Sequence, residues 1–218
     1  MSIFSGSTEI TAANGIYSGA VPVQAVYSGA TRVWVKEIIS SLSSALSHTN
    51  SLTDTWDNPT RAYDGDLNTY ASFSTGFGST VDAGLDLTFP SISASEIVEV
   101  RLFVKGRGSS GVARNTTVAV LSSGVGAHAA PQASTILTFP DGGFVTTYDS
   151  GLVATDQAGS DSNKTWNFDA SLFIGSSAAV LNWWANSPRL RCVTSDFNFG
   201  GSGGLMYEVQ LQVKYKPA

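Results

Sequence analysis

Near its end the chain runs LMYEVQLQVKYK, residues 205–216, and a large apolar side chain recurs there at every second position. Leu205, Tyr207, Val209, Leu211, Val213 and Tyr215 fall on one side of such a run. Met206, Glu208, Gln210, Gln212, Lys214 and Lys216 fall on the other. A period of two marks a strand, because successive side chains of an extended backbone point to opposite faces. The pattern predicts one face on a core and the other in water. The run is long enough to span the full height of a sandwich, and it reads as the strand that closes a domain.

The chain upstream is built from shorter pieces of the same kind. LDLTF (85–89) stops at Pro90, EVRLFVK (99–105) stops at GRGSSG, and TTVAVLS (116–122) stops at SGVG. FVTTY (144–148) begins after DGG, while AAVLNWW (178–184) and RLRCVT (189–194) flank ANSP. Short β runs with Gly/Pro punctuation predict an all-β chain, an antiparallel β-sandwich of jelly-roll type over residues 53–218. Composition agrees: 42% hydrophobic residues are ample for a packed core, and only 13% are charged. A length of 218 residues suits one domain with an appendage.

That appendage is the N-terminus, where one phrase recurs: IFSGSTEI (3–10), IYSGAVPV (16–23) and VYSGATRVW (26–34). Each places a short β run on either side of a Ser-Gly turn, where glycine supplies the positive φ such turns need. A unit this small cannot bury its own apolar face. Residues 1–35 are therefore expected to form an arm lying against the main domain, a symmetry mate or another protein, with Tyr17, Tyr27 and Trp34 as its interface side chains. The alternative is an ordinary meander of the sandwich. Residues 36–52 (KEIISSLSSALSHTNSL) read as the hinge. Ile38, Ile39, Leu42, Ala45 and Leu46 have helical spacing. The intervening Ser and Thr leave a short helix and a strand with a loop both open.

Chemistry has few places to live. In WDNPTRAYDGDLNTYASF (56–73), Asp64, Asp66 and Asn68 alternate as D-x-D-x-N around Gly65. Hard oxygen ligands at that spacing can wrap a calcium ion. An Asx-rich turn bonding its own backbone is the other reading. Trp183 and Trp184 are adjacent in a strand-like run, so one should join the core and leave its neighbour exposed to a sugar or covered by a subunit.

The other candidates are weak. Cys192 reads as a small buried strand residue rather than a nucleophile, since His48 and His128 lie in bland surroundings. Asp141, Asp149, Asp156, Asp161 and Asp169 are scattered among turns, and no nucleophile elbow, phosphate loop or His-containing metal motif occurs. Catalysis is not expected. A formal charge of −5 lacks the footprint of a nucleic-acid binder, and Arg101, Lys105, Arg107 and Arg114 read as a solvated strand edge. No stretch approaches the roughly 18 apolar residues of a membrane span. The opening residues have neither a basic leader nor an apolar run, so synthesis in a cytoplasm is expected.

Three resemblances join these features. AYDGDLNTYASF (62–73) resembles the entry motif of discoidin-like, galactose-binding-type sandwiches. That resemblance implies a structural loop that often holds calcium below a sugar- or lipid-binding rim, with Asp64, Asp66 and Asn68 as ion or turn residues. The opening phrases resemble the V-Y-x-G-x-x-x-V repeats of tailed-bacteriophage virion proteins. LDLTFP, WNFDAS and GGSGGLMYEVQLQV resemble, in order, the sandwich modules of phage tail and fibre proteins. Together they imply a non-enzymatic virion protein of the tail, baseplate or fibre. Other virion proteins and further copies of the chain would be its partners, with no nucleic acid bound and no membrane insertion. A capsid decoration subunit and a module binding a host surface glycan are the alternatives.

Overall fold

The computed structural model describes residues 3–5, 8–10, 17–18, 21–22, 25–28, 30–52, 55–73, 80–108, 114–121, 131–139, 145–154, 177–197 and 204–218. The N-terminal phrases form three hairpins. β1 (Ile3–Ser5) pairs with β2 (Thr8–Ile10), β3 (Tyr17–Ser18) with β4 (Val21–Pro22), and β5 (Ala25–Ser28) with β6 (Thr31–Val35). The ends of a phrase face each other across its hairpin, Ile3 opposite Ile10 and Val26 opposite Trp34.

Two larger sheets follow. The first is seven-stranded and centres on β12 (Ala94–Arg107) and β18 (Leu205–Pro217), antiparallel along their whole length. β18 also carries β7 (Ile38–Ile39), β8 (Ser43–Ser44) and β10 (Ala71–Ser72), and β12 carries β15 (Val145–Asp149) and β16 (Val153–Ala154). The second sheet runs β14-β13-β17-β11-β9, with β9 at Ser47–Asn50, β11 at Thr80–Thr88, β13 at Arg114–Leu121, β14 at Pro131–Phe139 and β17 at Arg189–Phe197. Between them lies one core. Val100, Leu102, Val104, Val209, Leu211 and Val213 come from the first sheet, and Leu85, Leu87, Val118, Leu190 and Cys192 from the second. The chain is thus an antiparallel β-sandwich. Burying each such aliphatic side chain stabilises it by about 1.5–3 kcal/mol.

Two expectations are corrected. AAVLNWW is not a strand but most of α1 (Ser177–Ala185), the helix that packs across the core. Val180, Trp183 and Trp184 recur at i, i+3 and i+4, a helical interval that the adjacent tryptophans masked. The helix ends where Asn186 turns back on Asn182 and Trp183, Ser187 takes a positive φ of 56°, and Pro188 follows.

The last strand keeps its alternation from Val209 onward but not over its first residues. A bulge opposite Lys105 and Gly106 reverses the parity. Met206 enters the core, and Tyr207 takes the opposite face, where it is buried against Tyr70 and Lys105. Moreover Glu208, read as facing water, is completely buried. Both differences come from what lies over the strand, which a period of two does not report.

Candidate functional site

The loop Trp56–Phe73 is closed at its neck by Asp57 and Ser72, which exchange backbone hydrogen bonds of 2.6 and 3.1 Å. Inside the neck, Pro59–Ala62 make a 3-10 turn that buries Ala62, and Trp56 meets Phe73 edge-on at 4.8 Å. The tip is held by its own side chains. Asp64 accepts from the Asp66 amide at 2.9 Å and the Thr69 hydroxyl at 2.7 Å. Asp66 accepts from the Asn68 amide at 2.9 Å and its side-chain nitrogen at 3.0 Å. Gly65 has φ 80°, a conformation glycine takes without strain. Asp64, Asp66 and Asn68 therefore form Asx turns in solvent, the second of the two readings.

Glu208, which sequence reasoning missed, changes what this loop means. Its Oε2 accepts from the Gly65 amide at 2.9 Å and its Oε1 from the Ser44 hydroxyl at 2.7 Å. Gln210 in turn donates to Ser44 at 3.1 Å. Burial, with the charge of Asp64 adding to it, pushes the Glu208 carboxyl above the ordinary 4.5, although its hydrogen bonds favour the charged form. The Asp64 and Glu208 carboxylates and the Thr69 hydroxyl are hard-oxygen groups of the kind calcium takes. Asn68 turns its side-chain nitrogen onto Asp66, and the oxygens of Asp64 and Glu208 each accept a hydrogen bond from the chain. Bound there, calcium would neutralise the buried charge and stiffen the loop. Among the described residues no group of three or more His, Cys, Asp and Glu gathers at one point.

Residues 36–52, the expected hinge, are strands rather than a helix, and they are laid along the sandwich. Ile38 and Ile39 pair with Tyr215 and Lys214, Ser43 and Ser44 with Leu211 and Gln210, and β9 edges the second sheet. Side chains add to the seam: Gln212 donates to the Ser40 carbonyl at 2.9 Å, and Lys214 lies 2.8 Å from Glu37. The serines that obscured the pattern are thus the residues that make the contacts.

The aromatic candidates divide. Trp183 and Trp184 are both in the core, 1% and 2% exposed, edge-on at 5.3 Å, with Trp183 Nε1 donating to the Leu121 carbonyl at 2.8 Å. Neither offers a sugar platform, which corrects the expectation of one exposed ring. Tyr27 is 59% exposed. Tyr17 and Trp34 lie on the strands β3 and β6, and their side chains fall outside the described residues. Exposed aromatic surface on the sandwich is found elsewhere, at Tyr70, whose ring meets that of Tyr207 at 5.4 Å.

Other reactive groups are spoken for. Asp86 and Arg191 form a buried bidentate pair at 2.7 and 2.9 Å, joined by Arg189 at 3.2 Å. Asp149 forms a bidentate pair with Arg101. Burial, helped by the charge of Asp86, pushes the Cys192 thiol up to about 12, so it is not a thiolate at neutral pH. Asp141, Asp156, Asp161, Asp169 and His128 lie outside the described residues. No helix among those described is long and apolar enough to cross a membrane.

No protein-family model and no curated protein sequence matches the chain. Solved structures with a similar fold include the enzymatically active domain of tailspike protein 4 from bacteriophage CBA120. It has 12% identity and a TM-score of 0.39 over 81% of this chain and 19% of the other, so the chain spans about a fifth of that protein. A carbohydrate-binding module, TmCBM61, solved with β-1,4-galactotriose, has 10% identity and a TM-score of 0.35 over 76% of this chain and 86% of the other. The family 11 carbohydrate-binding module of Clostridium thermocellum, solved with a mixed-linked tetrasaccharide, has 11% identity and a TM-score of 0.31 over 80% and 99%.

Proposed function

We propose that this chain is a non-enzymatic virion structural protein of a tailed bacteriophage, a component of the tail, baseplate or fibre that docks through its N-terminal arm. One observation carries the reading. Among the described residues each arm hairpin pairs only within itself, whereas both sheets of the sandwich are complete without the arm. A lone two-stranded hairpin is marginal in water, so three in a row call for a surface to lie on. The phage-repeat form of the phrases names the kind of surface: a neighbouring virion subunit.

In this reading the loop Asp64–Thr69 takes calcium as a structural pin, with Asp64, Thr69 and Glu208 around it. It keeps rigid the face on which the hinge is seated.

The test compares the full chain with residues 36–218. The truncated protein should give the same far-UV spectrum and cooperative melt, and should fail to co-sediment with particles assembled without the native copy. Incorporation equal to that of the full chain would overturn the docking role. Labelled copies found on the head rather than the tail would assign the same arm to capsid decoration.

A further inference from the structure

We propose that the outer face of the seven-stranded sheet, around Lys105, Arg107, Tyr70 and Tyr207, binds an acidic saccharide. β12 presents Arg101, Phe103, Lys105 and Arg107 on this face, opposite its core residues Val100, Leu102 and Val104. Arg101 is committed to Asp149. Arg189, Arg191, Lys214 and Lys216 likewise each reach a carboxylate. Lys105 and Arg107 reach none among the described residues, in a chain that carries five more acidic than basic groups. They stand about 7 Å apart along the strand, since each residue rises about 3.3 Å.

Arg107 is the decisive group. Its Nε is buried and has no hydrogen-bond partner. A desolvated donor left unmade is costly, so little opposes a turn of this half-buried side chain that would present the guanidinium fork to a carboxylate or sulfate. Lys105 is already aimed: its Nζ donates to the Leu67 carbonyl at 2.7 Å and sits 5.4 Å from the centre of the Tyr207 ring. Tyr70, 39% exposed, stands against Tyr207 and offers an aromatic surface on which the C–H face of a sugar ring can rest. Val145 and Thr147, opposite Arg107 and Lys105 on β15, are exposed and leave the approach open.

The fold selects among anionic ligands. β12 is hydrogen-bonded on both sides, by β15 and β18, so an extended acidic peptide has no strand edge to add to here. Recognition must pass through side chains, which suits the hydroxyls and carboxylates of a saccharide. A polyphosphate backbone is disfavoured by the net charge of −5.

The experiment titrates the full chain with a galacturonic acid hexamer, its carboxyl-reduced neutral counterpart, and an oligoglutamate of equal charge. Sulfated and sialylated oligosaccharides are screened alongside. The expected result is saturable binding of at least one acidic saccharide. It should be about tenfold or more tighter than the neutral hexamer and the peptide, and weakened to a similar degree by Arg107→Gln and by Tyr70→Ala. Tyr70 is exposed, so Tyr70→Ala tests the site even if Arg107→Gln disturbs folding; an unchanged melt confirms that it does. Absence of saturable binding to every acidic saccharide, equal binding of oligoglutamate, or affinity indifferent to both substitutions would overturn the proposal.

Discussion

A single carboxylate decides how the loop Trp56–Phe73 is seated. Glu208 accepts hydrogen bonds from Ser44 and Gly65, and burial keeps its proton on to higher pH than usual. Such an acid binds its proton more tightly folded than unfolded. Its stabilising share is whole below the ordinary 4.5 and is lost as pH rises through the raised value. Asp149 has the opposite sign. The Arg101 hydrogen bond lowers its pKa, so its share is present above the ordinary 3.8 and lost as pH falls through the lowered value. Urea unfolding in chelator, followed against pH, should show stability declining above 4.5, with the slope flattened in Glu208→Gln. Asp149→Asn should flatten only the limb below 3.8. A Glu208→Gln profile that tracks the wild type would show that this proton is not the one linked to folding. Calcium added to the chelated protein should raise the melting temperature of the wild type and leave Asp64→Ala unmoved.

At the scale of elements, short pieces are held by whatever side chains surround them. β8 is two residues long, too short for its ladder alone to fix it. The Ser44 hydroxyl fixes it instead, donating to Glu208 and accepting from Gln210. Ser44→Ala should cost about 1–3 kcal/mol, because it strips a donor from a buried carboxylate. The loss should appear as a lower urea midpoint with the slope unchanged, and a change under about 0.5 kcal/mol would place the seam's strength elsewhere. The arm shows the converse. Its hairpins pair within themselves, yet among the described residues no sheet of the sandwich extends them.

For the molecule as a whole, an apolar arm and a sequence pI of about 4.8 act together. Net repulsion keeps copies apart at neutral pH and fades as pH approaches that value. Sedimentation velocity should show the full chain associating between neutral pH and pH 5, and residues 36–218 associating less at the same concentration. Equal association of the two would mean that the sandwich, not the arm, carries the adhesive surface.

The runs 85–89, 99–105, 116–122, 144–148 and 189–194 were legible in the sequence, and they fall on the strands Thr80–Thr88, Ala94–Arg107, Arg114–Leu121, Val145–Asp149 and Arg189–Phe197. Each is rich in β-branched, aromatic or aliphatic side chains and has a glycine or proline near one end, and local sterics favour its extended form. The hairpin arm was legible for the same reason, as was the inert Cys192. What lies across a strand was not. The burial of Glu208 depends on a loop more than 140 residues away in the chain, and the bulge that turns Tyr207 away from the core depends on its register with Lys105 and Gly106. The face shared by Lys105, Arg107, Tyr70 and Tyr207 likewise exists only once three separate segments have been brought together. Periodicity records which side of a backbone a residue takes; only tertiary packing decides what meets it there.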